Sequence, residues 1–344
     1  MKEVLALFFK WLQSLSALAE NSKSVHSSVA KLAYFLYFKN YRLFCAFILH
    51  DLHTKKNILF IINPISGGKG KVRIPDFIDK YLDKNKFSPN FVFSEYVGHA
   101  AELADEAANK NFDIIVAAGG DGTINEVATQ VLKHQKILGI LPLGSGNGLA
   151  RFLHIPKNMR QAIQVINQFK IDRIDSATFN EKSFFNLAGM GFDAHLSAVF
   201  SKDKKRGLSG YLKLGIREIF NYKSQQYTLN IDGVEYTRKA FAITVANSSQ
   251  YGNDVYIAPG ASVKDGLLDV CIIKPFPIVK LPLLSYVMLR GKAETSDMIE
   301  IIKGKQIEIK REKEGAVHID GEPLQMDAEI KVIVHPGSLQ VIVP

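Results

Sequence analysis

The rhythm of apolar residues changes along this chain, and each rhythm predicts a different architecture. Between Asn57 and about Ile171, runs of consecutive apolar residues alternate with stretches in which apolar positions recur every three or four residues. The runs predict strands over 58–62, 91–94, 114–118 and 137–141. The helical spacing predicts helices over 72–82, 99–108 and 124–132. Strands apolar on both faces and separated by helices imply βαβ crossovers and a parallel sheet. Further along, short alternating or apolar runs over 227–232, 240–246, 268–273, 306–310 and 330–334 are bounded by glycine or proline. They predict a mostly antiparallel β domain.

The first 55 residues follow neither pattern. Two apolar, aromatic-rich segments, 4–19 and 29–49, flank a polar stretch. Lys10 interrupts the first, and Lys31, Lys39 and Arg42 the second, whereas a spanning helix wants about 20 predominantly apolar residues. Leu5, Phe8, Phe9, Leu12 and Leu15 share one helical face, which predicts an interfacial amphipathic helix. The alternatives are helices packed on the main body or on a second copy in a homodimer, and a signal peptide ending near Ala17-Leu18-Ala19. Lys10 counts against the last.

A length of 344 residues suits about two domains. The two cysteines, Cys45 and Cys271, have no metal-like spacing, which argues against a disulfide framework or zinc site. The net charge of +9 suits an anionic partner: a nucleotide, a nucleic acid or an acidic lipid surface. Basic residues do not gather with aromatics on one strand face, so no nucleic-acid partner is expected.

Three glycine-rich loops follow three of the predicted parallel strands. They are Asn63-Pro64-Ile65-Ser66-Gly67-Gly68-Lys69-Gly70, Gly119-Gly120-Asp121-Gly122-Thr123 and Leu143-Gly144-Ser145-Gly146-Asn147-Gly148. Glycine lets backbone approach a polyphosphate closely, and a following helix aims free N–H groups at the anion. In parallel sheets, ligands sit beyond the carboxyl ends of the strands. Asp121 stands where it could hold Mg²⁺ or accept a proton. This is the layout of a nucleotide-dependent phosphotransferase. The chain has no G-x-x-x-x-G-K-[ST] loop and no complete G-x-G-x-x-G, so the phosphates are expected in another arrangement.

Asn63-Pro64-x-Ser66-Gly67, Gly119-Gly120-Asp121-Gly122-Thr123 and Leu141-Pro142-Leu143-Gly144-Ser145-Gly146-Asn147 recur in an order that resembles the diacylglycerol kinase and sphingosine kinase superfamily of lipid kinases. The resemblance continues through Ala188-Gly189-Met190-Gly191-Phe192-Asp193-Ala194 and His318-Ile319-Asp320-Gly321-Glu322-Pro323, and covers about residues 57–344. It implies a three-layer α/β N-terminal domain like that of phosphofructokinase and NAD kinase, then a mostly antiparallel β domain. The implied division is an apolar extension over 1–55, a nucleotide-binding domain over 56–172, a lipid-substrate domain over 173–335, and a strand over 336–344 that returns to the first domain.

The resemblance also implies site residues. ATP is expected against Asn63, Pro64, Ser66, Gly67, Gly120, Gly122, Thr123, Asn125 and Glu126, with Ser94 and Ser145 standing where the family usually has threonine. Asp121 is the leading candidate for Mg²⁺–ATP or for the proton, and the Asp320/Glu322 pair competes with it as general base. Asp193 is expected to read a substrate headgroup hydroxyl. Similarity to bacterial soluble diacylglycerol kinases suggests a structural Mg²⁺ held by Asp265 and the carbonyls of Leu268 and Val270.

The resemblance makes diacylglycerol the first choice of substrate and a sphingoid base the second. Leu149-Ala150 leans towards sphingosine kinases, and Asp265-Gly266-Leu267-Leu268 towards the bacterial type. The nearest rival is a kinase of a soluble substrate such as NAD. A kinase of this kind is expected in the cytoplasm, docked peripherally on an anionic membrane surface. Lys202-Asp203-Lys204-Lys205-Arg206 is a candidate contact loop, with a solvated charge run as the alternative.

Overall fold

The computed structural model describes residues 55–66, 73–202 and 218–344. Gly67, the loop over 203–206 and the amphipathic segment over 1–54 therefore lie outside the described residues.

The first domain alternates strand and helix. It comprises β1 (Lys56–Ile62), α1 (Ile74–Tyr81), β2 (Phe87–Phe93), α2 (His99–Asn109), β3 (Ile114–Gly119), α3 (Asp121–Lys133), β4 (Ile137–Pro142), α4 (Gly148–Phe152) and α5 (Met159–Gln168). The strands lie parallel in the order β2-β1-β3-β4. All six residues of β3 are buried because helices cover both faces of the sheet. In α3, Ile124, Val127, Ala128 and Val131 recur at helical spacing and face this core.

Two boundaries differ from the sequence expectation. β2 begins at Phe87 rather than 91, and includes Pro89. It is the edge strand, where a missing N–H costs no ladder bond on the open side. α3 begins at Asp121 rather than 124, so Asp-Gly-Thr is itself the first helical turn. Glycine and threonine are weak helix formers and hide that start from periodicity.

The second domain contains β5 (Lys170–Phe179), β6 (Lys182–Phe184), β7 (Leu187–Gly191), α6 (Phe192–Lys202), β8 (Gln225–Ile231), β9 (Val234–Ala240), β10 (Ala242–Ala246) and β11 (Leu268–Ile273). It continues with α7 (Leu281–Leu289), β12 (Ile299–Gly304), β13 (Gln306–Arg311), β14 (Gly315–Ile319), β15 (Glu322–Met326) and β16 (Glu329–Val343). A six-stranded sheet, β12-β11-β10-β7-β14-β15, is antiparallel throughout. Alternate residues such as Ala188, Met190, Ile243 and Val245 meet Leu229, Ile307 and Val332 of the facing sheet in one core.

The predicted strands over 330–334 and 336–344 form one 15-residue strand, β16 (Glu329–Val343). Its register shifts between His335 and Leu339, where Gly337 takes φ of 56°. Before the shift β16 pairs with β13, and after it Gln340 and Val341 pair in parallel with β4. One sheet thereby runs through both domains. Asp175, buried in β5, holds the bulge: its carboxylate accepts from the Gly266 N–H at 2.8 Å and the Gly337 N–H at 2.7 Å.

Candidate active site

The strand order 2-1-3-4 opens a crevice between the carboxyl ends of β1 and β3, where successive connections leave in opposite directions. The loops after β1 and β3 meet there. The Asn63 Nδ2 donates to Thr123 Oγ1 at 3.0 Å, and Asn63 Oδ1 accepts from the Ile65 N–H at 2.9 Å. The loop after β4 closes on the same point, with Leu143 N–H donating to Gly119 O at 2.8 Å. A Cβ on Gly144 would stand 2.6 Å from Gly120 Cα, so only glycine permits this approach of two backbones. Ser66 Oγ lies 4.0 Å from the Cβ position of Gly120, on the same rim. Pro64 and Ser145 are exposed at its edge, and Ser94 is buried just beyond β2.

Asp121 stands in the first turn of α3, pointing at the third loop. Its Oδ2 accepts from Asn147 N–H and its Oδ1 from Gly148 N–H, each at 2.7 Å. Asn147 takes a left-handed φ of 52° and ties its side chain back to Gly144, accepting from N–H at 3.1 Å and donating to O at 2.7 Å. Burial pushes the Asp121 carboxyl above the ordinary aspartate range, opposed by these two N–H bonds and reinforced by the charge of Asp320.

The Asp320-Gly321 turn joins β14 to β15 with φ of 47° and 90°, as a two-residue hairpin turn requires. Its two carboxylates have unlike surroundings. Asp320 is buried, and its oxygens accept from Asn125 Nδ2 at 2.8 Å and from the N–H groups of Phe185, Asn186 and Leu187 at 3.0, 2.9 and 3.0 Å. Glu322 keeps an exposed surface and has no hydrogen bond among the described residues. Its Oε1 lies 2.6 Å from the Cβ position of Gly122, so it faces the Gly-Gly-Asp-Gly turn across the crevice. Crowding by protein is the largest cause that raises the Glu322 carboxyl, followed by the negative charges of Glu126 and Asp121.

Other expected ligands have their side chains engaged within the protein. Glu126 accepts from the N–H groups of Gly98 at 2.9 Å and Ala100 at 3.1 Å, satisfying the start of α2. Asn125 donates to Ser183 O at 3.0 Å as well as to Asp320. Asp193 begins α6, over the outer face of the six-stranded sheet. Its Oδ1 accepts from Ala194 N–H, while its Oδ2 meets Thr244 Oγ1 at 3.1 Å, Tyr251 OH at 3.2 Å and His318 Nε2 at 3.0 Å. His318 is buried, and its Nδ1 has no partner among the described residues. Thr244 and Tyr251 carried no sequence signal for this cluster, and nothing in the sequence joined His318 to Asp193, 125 residues away.

A lysine stands beside the expected structural Mg²⁺ ligands. Asp265 Oδ1 accepts from the Leu267 N–H at 3.1 Å, and its Oδ2 is 3.5 Å from Lys303 Nζ. That ammonium also reaches Asp269 Oδ2 at 3.1 Å and Gly260 O at 3.3 Å. Leu268 and Val270 lie in β11, where Val270 stands opposite Val245 of β10 and Ile302 of β12. Lys303 thus places a positive charge beside Asp265 and Asp269.

Comparisons with known proteins bear on the family and the fold. Residues 57–179 match the diacylglycerol kinase catalytic domain, and 186–343 match the YegS C-terminal NAD kinase beta sandwich-like domain. A protein of Chromohalobacter salexigens named as a YegS-like lipid kinase is 30% identical over 253 residues, which cover 72% of this chain and 81% of that one. A diacylglycerol kinase of Staphylococcus saprophyticus is 27% identical over 273 residues, covering 78% and 89%. A Bacillus anthracis crystal structure described as a diacylglycerol kinase covers 84% of this chain and 97% of its own, with a TM-score of 0.63 at 21% identity. At that identity it bears on the fold alone.

Proposed function

Since the chain belongs to the lipid kinase family that carries the diacylglycerol kinase catalytic domain, we propose that it phosphorylates diacylglycerol to phosphatidic acid, with Glu322 as general base. The family is one of phosphotransferases with an alcohol acceptor, and a kinase of this family uses ATP. The carrying observation is the placement of Glu322 Oε1 beside Gly122, opposite the glycine loops and with no hydrogen bond among the described residues. The N-terminal turn of α3 and the loops at Asn63, Gly120 and Gly144 offer N–H groups to the triphosphate. A lipid hydroxyl held between the γ-phosphate and Glu322 gives its proton to that carboxylate as its oxygen bonds to phosphorus. The bond from phosphorus to the β–γ bridging oxygen breaks, and ADP leaves.

Asp320 is poorly suited to the same task, because all four of its neighbours are donors already directed at its oxygens. Asp121 serves best as the strut that holds the Gly144–Gly148 loop over the phosphates. The Asp121 carboxylate is a hard oxygen donor that would hold Mg²⁺, an ion that usually takes one or two carboxylates together with phosphate oxygens. When bound, the ion neutralises charge on the transferring group. The Asp121→Asn protein is expected to fold normally and lose about a hundredfold in kcat, through a displaced loop. Unchanged turnover with ATP would show that the strut is dispensable.

We further place the working enzyme on an anionic membrane surface, with the net charge of +9 as attraction. Among the described residues no helix is long and apolar enough to cross a membrane. The direct assay is transfer of labelled γ-phosphate to a panel of lipid alcohols in mixed micelles, with products identified by mass. Phosphatidic acid is the expected product. Product from sphingoid bases alone, or from NAD without any lipid, would remove diacylglycerol as the substrate.

A further inference from the structure

Among the described residues, twelve large hydrophobic side chains are exposed, and five of them fall between 278 and 289. They are Ile278, Val279, Leu283, Tyr286 and Leu289, on α7 and the 3₁₀ turn Ile278–Lys280 that leads into it. Leu284 and Val287, on the opposite side of α7, are buried against the outer face of the six-stranded sheet together with Ala246, Ile257 and Met298. This helix is therefore apolar on both its buried and its open side. Val279, Leu283, Tyr286 and Leu289 follow one another at steps of four, three and three, and so form a single stripe. A helix bathed only in water would carry charged or polar residues there.

The flanks of the stripe carry one sign of charge. Residues 274–292 contain Lys274, Lys280, Arg290 and Lys292 and no acid. Of the nearest acids, Glu300 pairs with Arg238 at 2.9 Å and lies 3.8 Å from Lys274, and Glu294 accepts from Gly260 N–H at 2.8 Å. Asp297 lies 3.7 Å from Lys280 and is exposed. A protein partner would leave these cations to be desolvated, and lysine is depleted at such contacts. A bilayer does not: the alkyl stems lie along its apolar edge while the charged heads stay among anionic headgroups. Tyrosine suits the same boundary, with an apolar ring and a polar tip.

We propose that α7 and its leading turn are an interfacial docking element that inserts into an anionic bilayer. The inference rests on the lipid-substrate reading only for why a bilayer should be the partner. A run of rings links this face to the Asp193 cluster. Phe276 lies 5.1 Å from Phe241, and Phe241 4.6 Å from Phe192, the residue before Asp193.

The test uses the full-length protein and phosphatidylcholine vesicles containing phosphatidylglycerol. The double variant Leu283→Glu and Leu289→Glu is expected to bind these vesicles at least about tenfold more weakly in co-sedimentation, because two charges replace inserted side chains. Both positions are exposed, so its thermal unfolding should match the parent, as should its rate on a short-chain, monomeric diacylglycerol. Trp11 is the sole tryptophan, so Leu283→Trp in a Trp11→Phe background reports on α7 alone. Its emission is expected to shift to the blue when vesicles are added. Equal vesicle binding by the double variant, or an unshifted emission from bound protein, overturns the proposal. So does a change from dimer to monomer in light scattering with vesicle binding intact, which would make the face a contact between copies. Failure of phosphoryl transfer to every lipid would instead remove the lipid-kinase reading, and leave the vesicle measurements to judge α7 separately.

Discussion

Glu322→Gln is expected to reduce kcat by about a thousandfold, the usual weight of a positioned general base, while the protein remains fully folded. Glutamine keeps the shape and the contact with Gly122 but cannot take the proton. Loss should therefore appear in kcat and kcat/KM together, with little change in the KM for ATP. The parent enzyme should also lose kcat/KM as pH falls through the raised Glu322 pKa, above the ordinary glutamate range, and the variant should lack that limb. The sign for stability runs the other way. A carboxyl whose pKa is raised on folding favours the folded state while protonated, and that contribution is lost as pH rises through the raised value. At neutral pH the charge on Glu322 works against Asp121 and Glu126, so removing it should leave stability unchanged or increase it by up to about 1 kcal/mol. An active Glu322→Gln enzyme would remove this residue from the chemistry.

Asp320→Ala, two residues away, is expected to do the reverse. It should destabilise the fold by about 3–5 kcal/mol in urea unfolding, since it strands buried donors that now have a charged acceptor. Those donors belong to the start of β7, the segment before it and α3, so the loss would loosen the junction between the two domains. Turnover should fall in proportion to the folded fraction, and at a temperature where the variant is folded it should recover. If Asp320→Ala unfolds like the parent and is inactive at every temperature, Asp320 and not Glu322 is the better candidate for the base.

This contrast shows where legibility ended. The alternation of apolar runs with helical spacing was enough for a parallel sheet, and the glycine loops at successive strand ends were enough for a phosphate rim. Both follow from local rules: a strand buried on two faces must be apolar throughout, and backbones that touch must lack Cβ atoms. Asp320 and Glu322 look equivalent in sequence, since both flank a glycine in one turn. Asp320 meets donors 133 to 195 residues away, and no local pattern records that. For the same reason Lys303 could not be foreseen beside Asp265, nor Glu126 at the start of α2.

By itself, then, the order of residues determined the two domain types, the glycine loops at the strand ends and the class of chemistry. Periodicity and turn composition act over a few residues and survive without knowledge of partners. The tertiary structure decided which acid is free to take a proton and which is held as a strut. It also joined two apolar runs into β16 and left one side of α7 uncovered. Those outcomes depend on which distant backbone groups and side chains come together, and the free energy of a carboxylate is set by that company.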